Sequence, residues 1–141
     1  IPIWENQVLL CRRAIAPRHG YWTLPAGFLE VGESTEHGAA RETLEEAGAL
    51  VDIGPLFSLL NVAHVEQVHL FYLAHMRTPH FEAGTESLEV GLFTEAQIPW
   101  SELAFPTVKQ TLQWYFEDLH AGGFHHVRTR SRDILPSERI E

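Results

Sequence analysis

The sequence predicts a single α/β domain whose sheet is covered on both faces. Three observations carry that reading. The chain has 141 residues, 45% of them apolar, which is room for one domain and not for two full-sized ones. Residues 35–47 form a helix signal with start and stop marks at both ends. The run from 65 to 76 reads as a strand with apolar residues on both alternating faces: Val68, Leu70, Tyr72 and Ala74 on one, Phe71 and Leu73 beside Gln67 and His69 on the other. A strand exposed to water on one side would not be patterned this way.

The elements follow in order. Residues 1–4 and 7–13 are apolar runs separated by Glu5-Asn6, a hairpin pattern. Residues 14–32 carry Pro17, Gly20, Pro25, Gly27 and Gly32 and read as largely loop. Ser34 is a good N-cap, Glu36 sits where the helix dipole favours an acid, and Gly48 suits the left-handed position after a helix. On that helix Ala40, Leu44 and Ala47 make an apolar packing stripe, while Glu42, Glu45 and Glu46 converge on one patch. Strands are expected over 50–60, 65–76 and 87–94. A second helix over 107–120 has Val108, Leu112, Tyr115 and Leu119 at helical spacing and stops before Gly122-Gly123. After His126 little is left to pack, so the reading divides a domain over 1–126 from a loose tail over 127–141.

Nineteen acids against ten bases give a net charge of -9. That is the wrong footprint for gripping nucleic acid or an anionic membrane. One cysteine, Cys11, supplies neither a disulfide nor a zinc site and reads as a small buried hydrophobe, which suits a reducing, cytoplasmic setting. No apolar stretch approaches the roughly 20 residues a membrane helix needs. The chain starts at Ile1 without Met, so targeting stays open.

The acid surplus is not evenly spread. Residues 27–49, GFLEVGESTEHGAARETLEEAGA, hold six Glu and one Arg, a balance of -5 out of -9. Like charges three and four residues apart cost a helix a few tenths of a kcal/mol per pair. A divalent cation would remove that repulsion. Carboxylates without Cys or His partners select Mg²⁺ or Mn²⁺, ions that bind phosphates alongside protein oxygens. Phosphoryl chemistry follows.

The same segment resembles the Nudix box, G-x5-E-x7-R-E-U-x-E-E-x-G-U, with Gly27, Glu33, Arg41, Glu42, Glu45, Glu46 and Gly48 in place. Seven fixed positions would coincide by chance with a probability on the order of one in a million. Thr43 and Ala49 stand where the family has bulky aliphatics, a departure that touches packing. The resemblance implies a Nudix fold over about 1–120: a mixed sheet sandwiched between helices (α/β/α), single domain. It implies that Glu45 and Glu46 are principal metal ligands, Glu42 a further ligand or the group orienting water, and the Ala26 carbonyl a backbone ligand. Mg²⁺ is the expected cofactor, with Mn²⁺ as substitute. Arg41 belongs with the catalytic constellation by holding Glu45, while Gly27, Glu33 and Gly48 are structural. One more acid is expected from GTESLEVGLF, with Glu86 ahead of Glu89 as metal ligand and general base.

Arg12, Arg13 and Arg18 flank the loop before the box and are candidates for substrate phosphates. Trp22, Phe57, Phe71 and Tyr72 read as core packing before base stacking. The nine histidines read as exposed polar residues.

The continuous resemblance, from IPIWENQVLLCRRAIAP through YWTLPAGFLEVGES to ESLEVGLF, is to Nudix hydrolases assigned to ADP-ribose and FAD, which often carry an upstream zinc ribbon. The implied reaction is hydrolysis of a pyrophosphate in a nucleoside diphosphate derivative, releasing AMP. NADH and coenzyme A are alternative substrates, although no SQPWPFPxS-like array follows the box and LLCRRA only partly echoes the coenzyme A pattern. The alternative from another class is a catalytically silent nucleotide-sensing module. A homodimer is an option the family pattern leaves open.

Overall fold

A computed structural model describes residues 1–132 of the chain. The hairpin forms as the sequence predicts: β1 (Pro2–Trp4) pairs antiparallel with β2 (Gln7–Arg13), Ile3 opposite Val8. Inside the loop-rich stretch lies a short strand, β3 (Trp22–Thr23), on Cys11 and Arg12 of β2. Then come α1 (Thr35–Ala47), β4 (Val51–Val62), a 3₁₀ turn (Ala63–Val65), β5 (Gln67–Met76), β6 (Ser87–Phe93), α2 (Pro106–His120) and β7 (Arg128–Arg132).

The seven strands make one mixed sheet in the order β3-β2-β1-β5-β4-β7, with β6 on β2. The β1–β5 and β4–β7 pairs are parallel, the others antiparallel. The two halves of the sheet meet where Pro2 and Ile3 face Ala74 and His75 and where Ile1 bonds Tyr72 and Ala74. Among the described residues, the 67–71 stretch of β5 has no strand on the side away from β4, which leaves a wedge there. The main cavity opens in this wedge.

Both faces of the sheet are covered, and successive residues of β2 show how. Val8 and Leu10 point to a core completed by Phe57, Phe71 and Leu73 with Val108, Leu112, Tyr115 and Phe116 of α2. Leu9 and Cys11 point the other way, to Ala47, Ala49, Ala74 and Met76 beneath α1. A one-residue slip would exchange the two sets, so both cores fix the register. The α/β/α expectation holds.

Three expectations change. Leu44 is half-exposed, and Thr43 takes the inward place on α1, its hydroxyl donating to the Ala39 carbonyl at 2.8 Å. Leu119 of α2 is likewise exposed. Residues 128–132, part of the expected loose tail, form β7 on residues 58–62 of β4. That strand is polar and is held by backbone pairing and by Arg128 on Asp118 at 2.6 Å, so hydropathy gives no sign of it. Residues 133–141 of the expected tail lie outside the described residues.

Candidate active site

The box helix is fixed at both ends. Ser34 Oγ accepts from the His37 N–H at 3.1 Å, and Gly48 turns left-handed at φ 61° with its N–H on the Leu44 carbonyl. The segment 82–87 caps two more C-terminal carbonyls: the Glu82 N–H reaches Ala47 at 2.8 Å, and the Glu46 carbonyl accepts from the Gly84 N–H at 3.2 Å and Ser87 Oγ at 2.8 Å. This closeness needs glycine, since a Cβ on Gly84 would lie 1.9 Å from the Glu45 carbonyl oxygen and one on Gly48 2.6 Å from that of Glu82. Ala47 and Ala49 are fully buried under this segment's side of the helix, where Phe81 joins the core. Ala49 thus fits as a small residue at a position the box gives to an aliphatic.

Arg41 organises the outer flank. Its Nε and Nη2 hold both oxygens of Glu33 at 2.7 and 3.0 Å, and Nη2 also donates to the Phe28 carbonyl. Nη1 reaches Glu42 at 2.8 Å and Glu45 at 3.2 Å. The Arg41 bonds hold the Glu33 carboxyl down to about 2, helped by the Glu30 N–H, and the same pairing raises Arg41 itself. Arg41 thus holds Glu45, as the sequence predicts, and Glu42 as well.

Glu46 has the opposite surroundings. Burial pushes its carboxyl up to about 7, and the charges of Glu42 and Glu86 add to the shift; the Ala26 N–H, donating at 2.9 Å, and Arg13 only partly oppose it. Gly27 lets the loop lie against Glu42, whose carboxylate is 2.4 Å from where a Cβ would stand. The backbone group of Ala26 that meets the acids is its N–H, on Glu46.

A cavity of about 680 Å³ occupies the wedge, with Glu42, Glu46 and Arg13 along its walls. Arg13 lies 4.9 Å over the Phe105 ring and donates to the Pro17 carbonyl. The other two arginines are engaged elsewhere: Arg12 binds the Gly20 carbonyl and Glu89, and Arg18 stacks on Tyr21 and donates to the Ala104 carbonyl. Neither lines the cavity. The Arg12 pairing also occupies Glu89, while Glu86 acts on Glu46.

The aromatics divide. Trp22 packs edge-on to Phe93, and Phe57 lies in the core against Tyr115 and Phe124. Phe71 and Tyr72 line the cavity, and the Tyr72 hydroxyl bonds Thr35 at 2.6 Å and Glu36 at 2.9 Å. Two histidines expected to be exposed, His64 and His69, also line it, as does the highly exposed Phe28. His64 and His69 carry no spacing signal, and Phe28 is a lone aromatic in a loop, so only the fold reveals them.

Among the described residues no three acidic, histidine or cysteine side chains are already drawn together tightly enough to hold a metal ion. The chemistry of the donors nevertheless fits a hard cation. They are carboxylates, and the half-buried Glu46 stands among like charges that Arg13 only partly offsets.

A family model described as NUDIX domain matches residues 1–115. An ADP-ribose pyrophosphatase of Methanocaldococcus jannaschii is 27% identical over 119 residues, covering 78% of this chain and 68% of that protein. The NAD-capped RNA hydrolase NudC of Photobacterium profundum is 33% identical over 94 residues, covering 65% of this chain. The chain spans only 34% of that relative's length. The crystal structure of a NUDIX hydrolase from Nitrosomonas europaea superposes with a TM-score of 0.88 at 47% identity, over 94% of this chain and 76% of that one. No helix among the described residues is long and apolar enough to cross a membrane. Because the family match takes in well over half of the chain and contains all of segment 27–49, the chain belongs to the Nudix family of hydrolases.

Proposed function

We propose that the protein hydrolyses the pyrophosphate bond of a nucleoside diphosphate derivative, with ADP-ribose as first substrate and FAD as second, releasing AMP. The observation that carries this reading is the cavity of about 680 Å³ that opens directly onto Glu42 and Glu46. Its size suits a whole small-molecule substrate. The naming of the Methanocaldococcus jannaschii relative as an ADP-ribose pyrophosphatase supports the choice of ADP-ribose.

Glu42, Glu45, Glu46, Glu86 and the Ala26 backbone would hold Mg²⁺, or Mn²⁺ in its place. When bound, these ions supply positive charge to the pyrophosphate oxygens and ease deprotonation of the attacking water. The chain's own groups do the rest. Arg41 fixes the Glu42 and Glu45 carboxylates, sparing the reaction their reorganisation. Glu86 takes the water's proton, since Glu89 is occupied by Arg12. Arg13 meets the substrate's phosphates from the cavity wall. The hydrolysis works in the cytoplasm on a free nucleotide, and pairing of two copies belongs to this proposal without an assigned surface.

The test is a panel of ADP-ribose, FAD, NADH, coenzyme A and nucleoside triphosphates with Mg²⁺ or Mn²⁺ and chromatographic analysis of products. AMP with ribose 5-phosphate, or AMP with FMN, is the expected result. Tight calorimetric binding of ADP-ribose with no metal-dependent product would establish the sensing module instead.

A further inference from the structure

The wall of the cavity formed by β5 and the start of α2 carries a hydrogen-bonded chain of three side chains from positions without a motif. His69 Nε2 lies 2.8 Å from Gln67 Oε1, and His69 Nδ1 lies 3.0 Å from Thr107 Oγ1. All three line the cavity that holds Glu42 and Glu46. An amide oxygen only accepts, so the hydrogen of the neutral ring is on Nε2 and the Thr107 hydroxyl donates to Nδ1. Burial lowers the pKa of His69 and keeps the ring neutral.

This fixes what the wall offers. With its oxygen engaged, Gln67 presents the N–H donors of its amide. Thr107, donating to the far nitrogen of the ring, fixes the tautomer that locks the Gln67 oxygen. An amide left with only donors to offer complements an unprotonated ring nitrogen on a base edge, found beside the exocyclic amine in adenine and cytosine. Hypoxanthine and uracil carry a ring N–H at that place, which the amide cannot accept.

We propose that Gln67, oriented by His69 and Thr107, is a specificity-determining residue that selects a nucleotide whose base presents an unprotonated ring nitrogen beside its amino group, as adenine and cytosine do. The inference rests on the pyrophosphohydrolase reading for its place in the reaction, and its test does not require turnover. Calorimetry in magnesium buffer compares AMP with IMP and CMP with UMP, each pair differing at the amino position. The wild-type protein is expected to bind each amino base about tenfold more tightly than its keto partner, the scale of a hydrogen-bond mismatch in a partly dry site. Gln67→Ala should reduce that ratio to within about twofold. Gln67→Glu offers only acceptors and should turn the preference towards IMP. Gln67 is half-buried, at the end of a strand, so both variants should melt with the parent.

Equal binding within each pair by the wild-type protein, or a ratio unchanged in Gln67→Ala, overturns the assignment. Hydrolysis of ADP-ribose is measured separately. Cleavage without base preference removes this inference and leaves the activity, whereas base preference without cleavage of any pyrophosphate does the opposite.

Discussion

The two flanks of α1 hold glutamates in opposite conditions. On the outer flank Glu33 is gripped by Arg41 at 2.7 Å and its carboxyl lies near 2. On the flank facing the cavity, Glu46 is half-buried beside Glu42 and Glu86, with one backbone N–H and Arg13 to offset them, and its carboxyl lies near 7. Both belong to the same 23-residue box. The satisfied charge holds the loop to the helix, and the charge left wanting is where the proposed cation would sit.

The strongest way to break the comparison is Glu46→Gln. It should lower turnover at least about a hundredfold, as expected for a lost metal ligand, while leaving the metal-free melting temperature unchanged or higher. Melting and activity measured on one preparation decide it, and surviving activity would remove Glu46 from the ligand set. Next comes Gly84→Ala, whose Cβ meets backbone and not a flexible side chain. A loss of about 3 kcal/mol or more in denaturant unfolding is expected, with activity falling alongside.

Arg41→Ala leaves Glu33, whose side chain is 6% exposed, without its partner. Unfolding in urea should become easier, and Arg41→Lys should recover little of the loss because the forked contact needs a guanidinium. Smaller still is the contrast between two neighbours. Arg13→Ala should raise KM about tenfold and Arg12→Ala less than about twofold, because only Arg13 faces the cavity.

The gentlest test uses acid. The folded pKa of Glu33 is depressed from 4.5 to about 2, so its contribution is complete above pH 4.5. It is lost as pH falls towards 2. Urea midpoints over that range should drop more steeply for the wild-type protein than for Glu33→Gln.

Much of this architecture is legible in the amino-acid sequence. Local rules found α1 at its observed bounds, because Ser34 and Gly48 act within one turn of it. They found the box carboxylates because the spacing of a helix is rigid. What they missed depends on distant partners. Thr43 and not Leu44 points inward because of where the sheet lies, a matter of position about the helix that a short apolar stripe does not settle. β7 is polar and earns its place by pairing with β4, some seventy residues away. Arg12, Arg13 and Arg18 are alike in sequence, each ends on backbone or ring contacts, and only the fold sets Arg13 on the cavity and the other two off it. Gln67, His69 and Thr107 share no motif because they come from a strand and a helix that meet only in the fold.

The shortness of β1 has a wider meaning. Three residues suffice to stitch the halves of the sheet together at one end, and their scarcity leaves the other end open. In most sheets an unfilled edge invites a stray strand and must be guarded. Here the missing rungs of the ladder are the room in which a nucleotide can lie, so the protein obtains its binding space by leaving a sheet unfinished, with no need to hollow out either core.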